Sequence, residues 1–144
     1  MTPKERAAKV AETMWSDDRA SGWFGMELID IDEGCATLAL TVSDQHVNGH
    51  GICHGGVIFS LADSAFAFAC NSRNQSTVAH QNTITYIRPG QLGDRLTAKA
   101  REISLTGRTG ITDVTVTNQS GETIAEFRGV SRAIRGHVFE EDRA

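Results

Sequence analysis

One carboxylate stands where the sequence offers it no partner. Asp63 lies within Val57 to Cys70, a fourteen-residue segment whose only polar members are Ser60, Asp63 and Ser64. Burying an ionised carboxylate is costly unless it is paired, and an unpaired one ordinarily shifts its pKa. The segment contains no Lys or Arg, and the next basic residue is Arg73. A carboxylate so placed can serve as a general base or as a nucleophile in attack on a carbonyl. The plainer alternative is that it caps a neighbouring loop or faces a polar gap at an interface. Just upstream, His54-Gly55-Gly56 opens the same segment. Unpaired N–H groups at the positive end of a helix stabilise a developing oxyanion, and the glycines let a carbonyl come close. Base and oxyanion donor are the two halves of an acyl-transfer site.

Their spacing imposes a condition. Gly55 and Asp63 are eight residues apart, which is about 12 Å along a helix axis at about 1.5 Å per residue. A nucleophile must reach about 3–3.5 Å from the carbon whose oxygen the N–H holds. One helix cannot bring both to one substrate. If both act, Asp63 comes from a second chain and the site straddles a dimer interface.

The elements that must carry these residues are legible. Thr2-Pro3-Lys4-Glu5 reads as a helix start, with Thr2 as N-cap, Pro3 in the first turn and Glu5 closing a capping box. Ala7, Val10, Ala11 and Met14 continue it at helical spacing to about Asp18. Met26 to Asp32 and Ala36 to Val42 form a hairpin turned at Glu33-Gly34, followed by the glycine-dense loop Asn48 to Gly56. A helix as apolar as Val57 to Cys70 is expected to be buried all round. Thr77 to Ile87, Leu96 to Ile103, Gly110 to Thr117 and Thr123 to Ala133 read as strands. In the last, Glu122, Glu126, Arg128 and Arg132 share one face, and Ala125, Phe127, Gly129 and Ala133 the other. Asn118-Gln119-Ser120-Gly121 is a turn, and 136–144 is a polar tail expected to fray. The order predicts an α+β fold: a curved antiparallel sheet of about six strands around one helix, with an N-terminal helix.

Composition narrows the function. The 144 residues suit one domain, expected to span 1–144 with its core at about 20–134. A net charge of −4 argues against a nucleic-acid partner. No apolar run spans a membrane, and the first residues lack a signal-peptide pattern, so residence in the cytoplasm is expected. Cys35, Cys53 and Cys70 are an odd number without C-x-x-C spacing, so no disulfide framework or zinc ribbon is indicated.

Asn48-Gly49-His50, His54-Gly55-Gly56 with Asp63 seven residues beyond, Cys70-Asn71-Ser72, and Ile84 to Gly90 followed by Gly93-Asp94 together resemble the hotdog-fold acyl-CoA thioesterases. The phenylacetate-degradation branch is the nearest match. The resemblance implies a long helix wrapped by an antiparallel sheet, dimers that pair into tetramers, and hydrolysis of acyl-CoA without metal or other cofactor. It implies Asp63 as base or nucleophile and the Gly55 N–H as oxyanion donor. Asn48 would place the carbonyl or the water, and His54 would hold the loop through its ring nitrogens. Gly56, Tyr86, Arg88 and Arg108 are the candidates for substrate and CoA contact, the arginines for its phosphates. Some relatives carry a water-positioning Ser or Thr where this chain has Ala79; Thr77 and His80 are the nearest substitutes.

Other constellations carry less. His46, His50 and His54 are spaced four apart, yet Gly49 and Gly51 oppose the helix that would align them as metal ligands. Cys53 beside His54 reads better as a buried apolar residue than as a thiolate nucleophile. Trp15 and Trp23-Phe24 are expected to fasten the N-terminal helix or to border an acyl pocket. Two further functions fit the fold. A non-catalytic acyl-CoA-binding module needs no carboxylate at position 63, and hydratase or dehydratase chemistry needs a His–acid pair that the positions do not offer.

Overall fold

The computed structural model describes residues 1–142. Helix α1 spans Pro3–Asp17 and helix α2 spans Arg19–Phe24. Strands β1 (Glu27–Asp32) and β2 (Cys35–Thr41) precede the long helix α3 (Gly55–Asn71). Strands β3 (Thr77–Tyr86), β4 (Arg95–Thr106), β5 (Thr109–Thr117) and β6 (Thr123–Ala133) complete the chain. The strands form one curved, wholly antiparallel sheet in the order β1-β2-β4-β5-β6-β3. Chain order and sheet order part at β3. The short connection from β3 to β4 is a crossover, not a hairpin, and β3 pairs with β6 at the far edge. Among the described residues, no helix is long and apolar enough to cross a membrane.

The sheet wraps α3, whose Leu61, Phe66 and Phe68 are fully buried against Leu38, Leu40, Leu96, Val114, Val116 and Ile124. Close approach depends on one glycine. A Cβ at Gly129 of β6 would stand 2.7 Å from the Phe66 ring, so that ring occupies the space a side chain would need. The burial expected for α3 is not complete. Ser60, Asp63, Ser64 and Ala67 are half-buried and Gly56 is exposed, a stripe at helical spacing that α2 and β3 cover only in part, with Ser21 Oγ 3.0 Å from Ser64 Oγ.

Helix α1 begins as expected. The Thr2 hydroxyl accepts from the Glu5 N–H at 3.1 Å, but the return leg runs from that hydroxyl to the Glu5 carboxylate at 3.0 Å. Trp15 fastens α1 through the Phe68 ring at 6.0 Å, whereas Trp23 is 76% exposed and meets only the neighbouring Phe24 ring, edge-on at 5.1 Å, among the ring pairs of the described residues. The six residues of α2 are capped by Asp18, whose carboxylate accepts from the Ser21 N–H at 2.9 Å.

The tail does not fray over its described part. Asn74, fully buried at φ +66°, donates to the Phe139 carbonyl and accepts from the Phe139 N–H, both at 2.9 Å. The Arg6 guanidinium pairs with Glu141 at 2.8 Å. The chain therefore folds back beside α1; residues 143–144 of the expected tail lie outside the described residues.

Candidate active site

The predicted residues fall into two separate places. The first is a cleft of about 430 Å³ at the start of α3, lined by Asn48, Ile52, Cys53, Gly55, Ile58, Tyr86, Ile87, Arg88 and Pro89. Asn48, Gly55, Tyr86 and Arg88 thus meet, although they are far apart in sequence. Loop 48–53 is held by Asn48 itself, whose side-chain oxygen accepts from the His50 N–H at 2.9 Å. The Cys53 N–H then donates to the Gly90 carbonyl at 2.7 Å, which stitches the loop to the segment after β3. His54 is the N-cap of α3, and its Nδ1 accepts from the Gly56 N–H at 2.8 Å. The Gly56 amide is therefore spoken for. The Gly55 N–H has no protein partner among the described residues. The Tyr86 hydroxyl donates to the Gly55 carbonyl at 2.8 Å, so its ring lies against the helix start. Arg88 is anchored by the Thr123 carbonyl at 3.3 Å and by Glu122 at 3.6 Å. Arg108 is not in this cleft: it donates to the Ala133 carbonyl at the opposite end of β6.

The second place is a pocket of about 260 Å³ lined by Asp18, Ala20, Ser21, Phe24, Met26, Ser60, Asp63, Ser64 and Ala67. Asp63 is half-buried here, and burial raises its pKa above the usual carboxylate range. One donor opposes that rise: Asn82 Nδ2 donates to Asp63 Oδ1 at 3.1 Å. The other side-chain atom of that amide, Asn82 Oδ1, is buried without a partner. Asn82 is the residue that sequence reasoning misses. A bulge in β3 at His80, between Ala79 and Gln81, shifts the alternation so that Asn82 and Ile84 face α3. Counting back by twos from Ile84 would have placed a polar residue on the inward face. Ala79 and His80 are exposed, and Thr77 is engaged with Asn71 through its backbone N–H at 2.8 Å.

The remaining candidates are occupied by structure. Both ring nitrogens of His46 are held, Nδ1 by the Ser43 N–H at 3.0 Å and Nε2 by the Phe24 carbonyl at 2.8 Å. Among the described residues, no three His, Cys, Asp or Glu side chains gather as metal ligands would. Burial, with the nearby Asp94 charge, pushes the Cys53 thiol up to about 11, so it is a thiol and not a thiolate at neutral pH. A groove of about 630 Å³ between α1 and β1 holds none of the predicted site residues, and shares Met26 with the Asp63 pocket.

A long helix wrapped by one curved sheet of six antiparallel strands is the architecture of the hotdog thioesterase fold. The family model of the thioesterase superfamily matches residues 50–125, and the chain belongs to that superfamily. It is 43% identical over 136 residues to the acyl-coenzyme A thioesterase PaaI of Escherichia coli, covering 94% of this chain and 97% of that one. The solved structure of the E. coli PaaI protein superposes with a TM-score of 0.93, covering 94% of this chain and 99% of that one. A Streptococcus mutans protein solved bound to acetyl CoA is 28% identical, with a TM-score of 0.75, covering 78% of this chain and 90% of that one.

Proposed function

We propose that this protein is a cytoplasmic acyl-CoA thioesterase that cleaves phenylacetyl-like, hydroxyphenylacetyl-like or other aryl and medium-chain thioesters to free acid and CoA. The observation that carries the reading is the pairing of one open amide, Gly55 N–H, with one half-buried carboxylate, Asp63, on the same helix but in different cavities. Each cavity is half a site. A second copy completes it, Gly55 of one chain facing Asp63 of the other, and such dimers pair into tetramers. The half-buried stripe of α3 and the edge position of β3 support that pairing. The name of the E. coli relative and the acetyl CoA bound by the S. mutans protein support the substrate class.

In the reaction, the thioester carbonyl oxygen accepts from the Gly55 N–H while Asn48 and Tyr86 frame the cleft. In the base route Asp63 takes a proton from water, and the hydroxide oxygen bonds to the carbonyl carbon. The negative charge moves to the oxygen held by Gly55. Collapse breaks the carbon–sulfur bond, and the CoA thiolate leaves with a proton from Asp63. In the nucleophile route a carboxylate oxygen bonds to the carbonyl carbon and the carbon–sulfur bond breaks as CoA thiolate leaves. Water then hydrolyses the mixed anhydride to the acid and free Asp63, its spare proton going to the thiolate. Asn82 donates to the carboxylate in either route and favours its charged form. Arg88, beside the cleft, is the nearer candidate for a CoA phosphate; Arg108 could serve only from another chain.

The test is complementation. Asp63→Asn should lower turnover by about 10²–10⁴-fold, the range for a positioned acid–base group, with binding largely kept. Gly55→Pro keeps the helix start but removes the N–H. The Tyr86 ring, 3.1 Å from the added carbon and half-exposed, can move aside. Each homodimer should be nearly inactive. A mixed dimer has one doubly defective site and one intact site, so refolding the two together should restore up to about half of wild-type activity per heterodimer. Verified heterodimers that recover nothing would refute the shared site, and full activity in Asp63→Asn would refute the chemistry.

A further inference from the structure

The lining of the Asp63 pocket includes one buried side chain that also faces a second cavity. Met26 lies between α2 and β1 and is 4% exposed. Its place is fixed by the end of α2. Gly25 takes the left-handed conformation at φ +80°, and the Met26 N–H donates to the Ser21 carbonyl at 3.0 Å. On one side Met26 walls the 260 Å³ pocket with Phe24, Ser64 and Asp63. On its other side lies the 630 Å³ groove, whose apolar lining includes Ala8, Ala11, Trp15, Leu28 and Ile31. Among the described residues, Met26 is the one residue that both linings share.

A cavity of about 150 Å³ holds benzene. The pocket beside Asp63 therefore has room for one ring and its linker, or for a short chain, and then it stops. The tail of a long acyl chain would have to pass through the position of Met26 to reach the groove. That groove has room for a chain along its apolar side, and Met26 is the side chain that lines both it and the pocket of the carboxylate.

We propose that Met26 sets acyl specificity: it is the wall that limits the acyl group to one ring or a short chain and denies long chains the groove between α1 and β1. The proposal rests on the thioesterase reading, since the acyl group is what enters the Asp63 pocket. Nothing in the base or the oxyanion contact depends on Met26, so its replacement changes which acyl group fits and leaves the chemistry in place.

The experiment measures kcat/KM for phenylacetyl-CoA, hexanoyl-CoA and dodecanoyl-CoA in wild type, Met26→Ala, Met26→Val and Met26→Leu. Truncation to Ala or Val should raise the dodecanoyl-to-phenylacetyl ratio by about tenfold or more, the discrimination that one or two methylenes of pocket depth supply. Met26→Leu preserves the wall and should keep the wild-type ratio. Val removes less volume than Ala, so it keeps the test alive if Ala fails to fold. An unchanged ratio in a folded, active Val or Ala variant overturns the role of Met26 while the thioesterase reading stands. Failure of wild type to cleave any of the three esters overturns both.

Discussion

Gly129→Ala isolates the contact that seats α3 in the sheet. The added carbon would lie 2.7, 2.7 and 2.8 Å from Phe66 Cε1, Cζ and Cδ1. Real contacts of that kind do not occur, so something shifts. Phe66 has little freedom to yield, being 1% exposed and tilted against the Phe127 ring at 5.8 Å. Forcing a methyl into a filled core costs about 1–3 kcal/mol. The loss of glycine's backbone freedom in the unfolded chain returns about 0.4–1 kcal/mol. The net expectation is a destabilisation between about zero and about 2.6 kcal/mol, about 1.3 kcal/mol at mid-range, which lowers the melting temperature by about 3–5 °C at this chain length. Thermal unfolding followed by circular dichroism reads it. Phe66→Leu removes the ring edge, so the double variant should be more stable than the two single losses predict, by about 0.5 kcal/mol or more. Turnover should fall too, because Gly129 is the cross-strand partner of Asn82, the donor to Asp63. A Gly129→Ala protein that melts at or above wild type, or strict additivity with Phe66→Leu, would show that the ring does not fill that space.

Two further outcomes follow from the titrating groups. Asn82→Ala deletes a donor that favours the charged form of Asp63, so its pKa, already raised by burial, rises again. The base works only when ionised, so the acidic limb of the kcat profile should move to higher pH with KM at pH 8 little changed; a limb that stays or moves down refutes the contact. Burial holds the Cys53 and Cys70 thiols at about 11 and about 12, whereas Cys35 is exposed. Iodoacetamide at pH 7.5 should therefore mark Cys35 first, as read by peptide mass spectrometry, with activity retained; early loss of activity together with labelling of Cys53 contradicts this.

The sequence made the elements plain where one period ran unbroken. Strand β6 was expected at Thr123–Ala133 and lies there, because Ala125, Phe127 and Gly129 alternate inward with outward Glu126 and Arg128 through its middle. Helix α3 starts two residues before the apolar run, since His54 caps it and glycines fill its first turn. Helix α2 carries no period in six residues, and only the Asp18–Ser21 cap marks it. Position in the sheet was harder to read. The connection at 87–94 has hairpin length but crosses over, and only pairing with β6 reveals it. The site was readable where chemistry and spacing coincide, at Gly55 and Asp63. It was hidden where a bulge changed the phase, at Asn82. The tail looked unstructured because its anchors, Asn74 and Arg6, lie far from it in the chain.

That clasp has a kinetic side. Helix α1 fully buries only Ala7, Val10 and Ala11, with Met14 and Trp15 partly buried against the core. Its first turn is tied by Lys4 to Asp30 and the Ile31 carbonyl, and its next by Arg6 to Glu141. Lys9 lies over the Phe139 ring at 4.9 Å. Segments opened by the same event exchange their amide hydrogens at a common rate. The amides of α1 and the amide of Phe139 should therefore exchange together, as one cooperative unit formed from the two ends of the chain. Cutting residues 137–142 away would then shorten amide lifetimes in a helix more than 120 positions earlier, and leave those of the β4–β5 hairpin as they were.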